Sequence, residues 1–368
     1  MSIPDVWVEI NLGALRHNVE AVRKLVGPDV RILAVVKGNG FGHGYAEPAR
    51  AFVQAGADYL GVTRIDEAIA LRQAGITAPI LVFAPILADN LSEALSAGLD
   101  ITVTSHASLR AAAECARSLG TDIPVHIKVD TGMGRLGVEH SAAIDFITDA
   151  ASSSNIRIAG LYTHLANAGH RSARSALTQL QVFHEVIERA RDHRLPTGLI
   201  HACNSAGLVR FPRYRFDMVR AGTILYGQHP SARVRKAMKL QNSWVLKSRV
   251  CDIKQLRRGT RVGYGGECTL KRDTLSAVIP VGFADGFTLA PEGPIYRMNP
   301  LVFAVKRARR KPHVTIRGKR ANVLGRVAMQ LVVVDVTDIP EVTIGDEVIV
   351  PAMRIPVGAQ IPRVYTDD

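Results

Sequence analysis

A lysine closes the apolar run at residues 32–36, and four glycines follow it within seven residues in RILAVVKGNGFGHG (31–44). The run predicts a strand buried on both faces, the kind found in parallel sheets. The glycines predict a turn whose backbone passes close to something bound. Lys37 then stands at the C-terminal end of a buried strand. Desolvation there favours the neutral amine that forms a Schiff base with a carbonyl compound. Position alone equally allows a lysine that snorkels from a strand end. Other polar residues recur just after later apolar runs. Lys128 precedes the loop DTGMGRLG (130–137), which carries Arg135, and His164 follows residues 158–162. Asn204 and Ser205 follow residues 198–201, while Arg220, Gly222 and Thr223 end or follow residues 216–219. Singly, each has a structural explanation: a core histidine, half of an ion pair, a glycine turn. Their common depth along successive strands points to one site on one face of a fold. Ser205 and the backbone of Gly222 and Thr223 are suited to hydrogen-bond a phosphate.

Eight short apolar runs alternate with helical patterns, at 32–36, 59–62, 80–83, 100–103, 125–129, 158–162, 198–201 and 216–219. Amphipathic segments such as 65–73, 105–117 and 177–192 separate them. Gly56, Gly75, Gly98 and Gly120 fall where helices end. This count and period predict a (β/α)8 barrel of the TIM type rather than an open doubly wound sheet. Beyond residue 240 the pattern becomes β-branched runs with turns between them, at 244–253, 274–281, 301–305, 314–316, 321–327, 331–336 and 347–350. An α/β barrel domain over 1–235 and an all-β domain over 236–368 follow, with a polar linker near 228–240.

Composition excludes several classes. Apolar content of 47% and charged content of 21% describe an ordinary globular chain. No apolar run reaches membrane-spanning length, so no membrane partner is expected. The first residues show no secretory pattern, and four scattered cysteines form no CxxC pair, so a cytoplasmic protein without a metal site is expected. The formal charge of +13 is concentrated in Lys306, Arg307, Arg309, Arg310, Lys311, Arg317, Lys319 and Arg320. With aromatics at 5% and none interleaved with these cations, the stretch predicts a solvated loop rather than a nucleic-acid site.

Seven motifs occur in order: AVVKGNGFGHG, KVDTGMGRLG, YTHLA, HACNSAG, MVRAGTILYG, VGYGGE and PVGFADGF. In these the chain resembles the alanine racemase family, the fold-type III enzymes dependent on pyridoxal 5′-phosphate (PLP). The resemblance implies a barrel that holds PLP, a β domain, an amino-acid substrate, and a homodimer whose active sites are shared between chains. It implies that Lys37 is the Schiff-base lysine and one racemising base, with Tyr264 the opposite base, reaching the other subunit's barrel. Lys128 would be carbamylated and hold Arg135, which meets the PLP phenolic oxygen and the substrate carboxylate. Arg220 would face the pyridine nitrogen, His164 would bond within the Tyr264–Arg220 network, and Ser205, Gly222 and Thr223 would hold the phosphate. Asn204 adjoins that group, and the backbone N–H of Met329 would meet the substrate carboxylate from the partner chain. Arginine does not readily give up its proton, so Arg220 would leave the ring nitrogen unprotonated and limit side reactions. It also counts against the basic amino-acid decarboxylases of the same fold, which place an acid there.

The sequence departs from the family at the mouth of the site. Phe41 stands where a phosphate-binding tyrosine is usual, Phe283 replaces an entrance tyrosine, Leu289 an arginine, and Gln330 an aspartate. The C-terminus lacks the segment carrying a second phosphate-binding tyrosine, for which Tyr365 is a poor substitute. The resulting expectation is interconversion of L- and D-alanine. The alternatives are a racemase of the same fold with another or broader substrate, such as serine or a basic amino acid, and a non-catalytic PLP-binding protein.

Overall fold

The computed structural model describes residues 4–232, 234, 237–289 and 311–367. The expected strand at 301–305 and the basic residues 306–310 lie outside them. The chain forms two compact units, one of Leu12–Ser243 with the last two residues, and one of Met1–Asn11 with Trp244–Thr366.

The first unit is the expected barrel. Its eight parallel strands are Arg31–Val35, Tyr59–Val62, Ile80–Val82, Asp100–Val103, Ile123–Asp130, Ile156–Tyr162, Leu199–His201 and Met218–Ala221. The first seven pair each with the next in this order, and Met218–Ala221 returns to pair with Arg31–Val35. The remaining seam, between strands seven and eight, closes through an Asn204–Arg220 bridge and the hydrogen bonds Asp217 N to Ile200 O (3.0 Å) and Arg220 N to Cys203 O (2.9 Å). The strands are almost wholly buried because helices cover the sheet, so they read as continuous apolar runs instead of alternating ones. Helices Ile65–Gln73, His106–Leu119 and Arg174–Asp192 occupy the predicted amphipathic segments. Gly56, Gly75, Gly98 and Gly120 take the positive φ that lets the chain leave a helix.

The second unit contains a nine-stranded sheet and, among the described residues, no α-helix. Its order is Asp252–Leu256, Thr274–Ile279, Val332–Asp335, Lys319–Val323, His313–Ile316, Glu347–Val350, Trp244–Arg249, Val6–Asn11 and Arg363–Thr366. Two features differ from the sequence expectation. The run at 244–253 is two strands that pair in different parts of the sheet. The first strand, placed in the barrel domain by the 1–235 division, belongs to this sheet: Val6–Asn11 pairs antiparallel with Trp244–Arg249 and parallel with Arg363–Thr366. Its alternating VWVEIN pattern suits a sheet with one face buried, not a barrel strand. Lys247 Nζ reaches Glu9 (2.8 Å) and Glu347 (3.0 Å), tying three neighbouring strands together.

Candidate active site

Ten of the predicted site residues line one cavity of about 570 Å³ at the C-terminal ends of the barrel strands: Lys37, Phe41, Lys128, Arg135, His164, Asn204, Ser205, Arg220, Gly222 and Thr223. Four cations therefore face this space, and its lining contains no carboxylate. Such a cavity selects anionic ligands.

Lys37 begins an unusual turn. Gly38, Asn39, Gly40 and Phe41 all have φ between 53° and 64° and ψ between 35° and 51°, one turn of left-handed helix. L-residues avoid this region, and glycine at alternate positions reduces the strain. Two contacts secure the turn. Gly38 N–H donates to Glu67 Oε1 at 2.7 Å, while Oε2 of that buried carboxylate accepts from Thr63 N (2.9 Å) and Arg64 N (3.2 Å). Buried His43 lies 3.0 Å from Gly40 O through Nδ1 and 2.9 Å from Ser243 Oγ through Nε2. Lys37 itself remains accessible. Desolvation by the surrounding loops lowers its pKa, Arg135 lowers it further, and Glu67 opposes both.

Arg220 is the centre of the site and is 4% exposed. Nη1 donates to His201 Nδ1 (2.8 Å) and His201 O (3.1 Å); Nη2 donates to Thr163 O (2.7 Å), Ala202 O (3.0 Å) and His164 Nδ1 (3.3 Å). Among the described residues its Nε–H has no partner. Because no fully buried side-chain nitrogen or oxygen among the described residues lacks one, Nε opens on the cavity. Burial pushes the guanidinium down to about 10, which leaves it charged at neutral pH. His164 Nδ1 accepts from arginine, so its ring proton is on Nε2. Burial, then Arg220 and Lys128, hold its pKa well below the usual histidine value, and the ring is neutral.

Tyr162, at the end of strand six, is a platform for this charge. His201 stacks on it at 4.7 Å and 9°, and Lys128 Nζ and Arg220 Cζ each lie 5.2 Å from its ring centre. Its hydroxyl bonds Thr102 Oγ1 at 3.0 Å, and burial raises its pKa to about 12, so it stays a neutral phenol. Lys128 is 5% exposed, and desolvation followed by Arg220 and Arg135 lowers it to about 8. It stays mostly protonated near neutral pH, with a minor neutral fraction. Arg135, exposed, makes no hydrogen bond or ion pair among the described residues.

At the other end of the cavity Ser205 Oγ accepts from Gly222 N–H at 2.8 Å, which leaves its own proton free to donate. Neither the N–H nor the hydroxyl of Thr223 has a partner among the described residues. A Cβ on Gly222 would point 3.4 Å from Phe41 Cζ and 3.8 Å from Ser205 Oγ, so the missing side chain keeps this corner open. Asn204 lines the same corner, but its Oδ1 caps the following helix by accepting from Ala206 N and Gly207 N, both at 3.1 Å. Phe41 contributes an aromatic wall, 4.8 Å from Tyr226. Free donors at this corner, an open Arg220 Nε–H in the middle and an amine at Lys37 fit PLP through its phosphate, ring nitrogen and aldehyde respectively.

Tyr264 and Met329 lie in the β unit and are 76% and 61% exposed. Phe283 N and Ala284 N donate to Ala328 O and Met329 O, so exposed Phe283 adjoins Met329. Tyr365 sits in the strand Arg363–Thr366, opposite Ile10. Glu67, Tyr162 and His201 also belong to the site, beyond the residues expected from the sequence. Tyr162 and His201 begin two of the quoted motifs, and Glu67 lies three residues into a helix, where a carboxylate returns to backbone N–H groups.

Residues 10–230 match the family described as alanine racemase, N-terminal domain, and residues 244–359 match alanine racemase, C-terminal domain. The chain is 36% identical over 381 residues to an alanine racemase of Desulforamulus reducens, covering 98% of both chains. Its fold matches that of alanine racemase from Clostridium difficile 630 with a TM-score of 0.91 at 30% identity, over 100% of this chain and 97% of the other. The Bacillus anthracis alanine racemase with bound L-Ala-P matches at a TM-score of 0.85 and 27% identity, over 100% and 96%. The chain belongs to the alanine racemase family.

Proposed function

We propose that this chain is a PLP-dependent racemase that interconverts L- and D-alanine with two bases, Lys37 and Tyr264. The observation that carries the reading is the single cavity joining Lys37, the free Nε–H of Arg220 and the open donors of Ser205 and Thr223. When bound there, PLP supplies an electron sink for the pair left by the departing α-proton.

Ser205 Oγ–H and the Thr223 N–H and hydroxyl hold the phosphate, and Gly222 gives it room. Lys37 holds the cofactor and moves the α-proton on one face. Its lowered pKa makes the amine a usable base, and Arg135 contributes to that shift. Arg220 donates to the ring nitrogen from a guanidinium that remains charged, so that nitrogen stays unprotonated. Racemisation requires the proton to return from the opposite face. Tyr264 is assigned that step in a homodimer, reaching the barrel of a second copy, with the Met329 N–H meeting the substrate carboxylate alongside Arg135. Support comes from the exposure of Tyr264 and from that of Met329 beside Phe283 and Leu331, apolar side chains of the kind that bind another chain. His164 offers Nε2–H to the same network. Lys128 is assigned as a carbamate: its neutral amine adds carbon dioxide and releases a proton, placing one negative charge among the cations. The barrel domain thus carries the cofactor and the β domain the second base. The cysteines are free, which agrees with the cytoplasm as the working compartment.

The test is α-proton exchange in heavy water with single L-amino acids, read by chiral mass spectrometry. Deuterium uptake and D-alanine formation with alanine are expected. Exchange with a larger or basic amino acid instead would assign the apolar Phe283 and Leu289 to a change of substrate. Exchange with none, despite bound cofactor, would refute the racemase.

A further inference from the structure

The interior of a barrel of this kind is ordinarily filled by apolar layers. Here four polar side chains cross it in file. Asp100 opens strand four, His126 lies within strand five, His201 ends strand seven, and Arg220 is in strand eight. All are buried: Asp100 is 7% exposed, Arg220 4%, and both histidines 0%.

Arg220 fixes the direction of every bond in the file, because a guanidinium only donates. Its Nη1 is 2.8 Å from His201 Nδ1, so that nitrogen accepts and the ring proton is on Nε2. His201 Nε2 lies 3.0 Å from His126 Nδ1, which therefore accepts in turn. The proton of His126 is left on Nε2, 3.2 Å from Asp100 Oδ2, and Tyr59 donates its hydroxyl to the same oxygen at 3.2 Å. A proton moved to either Nδ1 would set two donors face to face. Burial and the neighbouring Arg220 independently favour a neutral His201. The backbone makes room for the contact: a Cβ on Gly160 would fall 2.2 Å from His126 Nδ1, and the register between strands five and six shifts between Val125 and His126.

We propose that Asp100 and His126 are positioning residues for Arg220, acting through His201 to hold the guanidinium in one orientation with its Nε–H open to the cavity. That this donor meets the cofactor ring rests on the function proposed above; the file itself does not. Asp100 is the terminal acceptor that lets each imidazole be neutral and fully bonded. Without it the direction is specified from the arginine end alone.

The test uses the full-length holoenzyme labelled with 15N-histidine. In the wild type, both rings should show a protonated Nε2 and an unprotonated Nδ1, with a scalar coupling across the His201 Nε2–H···Nδ1 His126 bond. A protonated Nδ1 at His201, or no such coupling, overturns the proposal. Asp100→Leu should split the His126 signals between two tautomers and abolish the coupling. It should also lower kcat by about tenfold or more while KM for alanine stays within about twofold. Asp100→Asn keeps an acceptor oxygen and should retain both tautomers and coupling; loss of the coupling in that variant overturns the proposal even where the leucine variant does not fold. An unchanged file in folded Asp100→Leu also overturns it. A protein with the wild-type coupling that exchanges the α-proton of no amino acid refutes the racemase but leaves the file standing.

Discussion

The left-handed turn after Lys37 can be tested by the sign of one substitution, Gly38→Ala. A Cβ at residue 38 would meet nothing within 4 Å, so the effect is conformational and not steric. With φ at +64° and ψ at 51°, an alanine incurs the left-handed penalty of about 1–2 kcal/mol. Reduced freedom of the unfolded chain returns about 0.4–1 kcal/mol. The net expectation is a loss of about 1 kcal/mol. Were the same six residues an ordinary right-handed helix, Gly→Ala would instead stabilise by about 0.5–1 kcal/mol. Urea unfolding of the wild type and Gly38→Ala, with the denaturant slope compared to exclude a change in the unfolded state, resolves a difference of that size. A neutral or stabilising result would refute a left-handed turn in solution. It would also undo the account of how Lys37 is presented, since Gly38 N–H is the group that Glu67 anchors.

Three further outcomes are expected. Phe41→Tyr places a hydroxyl on the ring atom nearest Gly222 and should strengthen PLP binding by about 0.5–1.5 kcal/mol, or two- to about tenfold, in an equilibrium titration. Glu67→Gln removes the one charge that raises the Lys37 pKa, so a further fall in that pKa should move the acidic limb of the kcat profile, which reports the amine freed once substrate is bound, to lower pH; an unmoved limb would refute the coupling. His164 and His201 both titrate well below 6.5 when folded. Below pH 6.5 the unfolded chain therefore binds protons that the folded one refuses, and stability must fall on acidification. The expected loss is about 1.4 kcal/mol per pH unit for each histidine, measured by urea unfolding from pH 6.5 downward.

The barrel was legible because its strands are buried on both faces and so appear as uninterrupted apolar runs, each followed by a helix and a glycine stop. Positions past the strand ends located Lys37, His164, Ser205 and Thr223 for the same reason. What escaped were relations between distant segments. The glycines of 38–44 announced a turn but not its handedness, which depends on Glu67 and His43 as anchors. His126 sits inside the run VHIKVD and looks like a core residue until His201 and Asp100 are placed beside it. VWVEIN alternates as a sheet strand should, yet nothing local reveals that its partners come from the far end of the chain. Asn204 lines the cavity as its place in the sequence suggests, but nothing local shows that its side-chain oxygen also serves the next helix.

The pairing of Val6–Asn11 with Trp244–Arg249 and Arg363–Thr366 also orders events at the ribosome. The first strand precedes the barrel in the chain, but 238 residues separate Glu9 from Lys247, and its other neighbour, Arg363–Thr366, lies further on still. At about 5–20 residues per second, it waits on the order of tens of seconds for partners. During that interval the strands of the barrel are translated while the first strand keeps its edges unpaired, with Glu9 as a charge against mispairing. Every residue lining the pocket of Lys37 and Arg220, the last being Pro230, is thus translated before Tyr264.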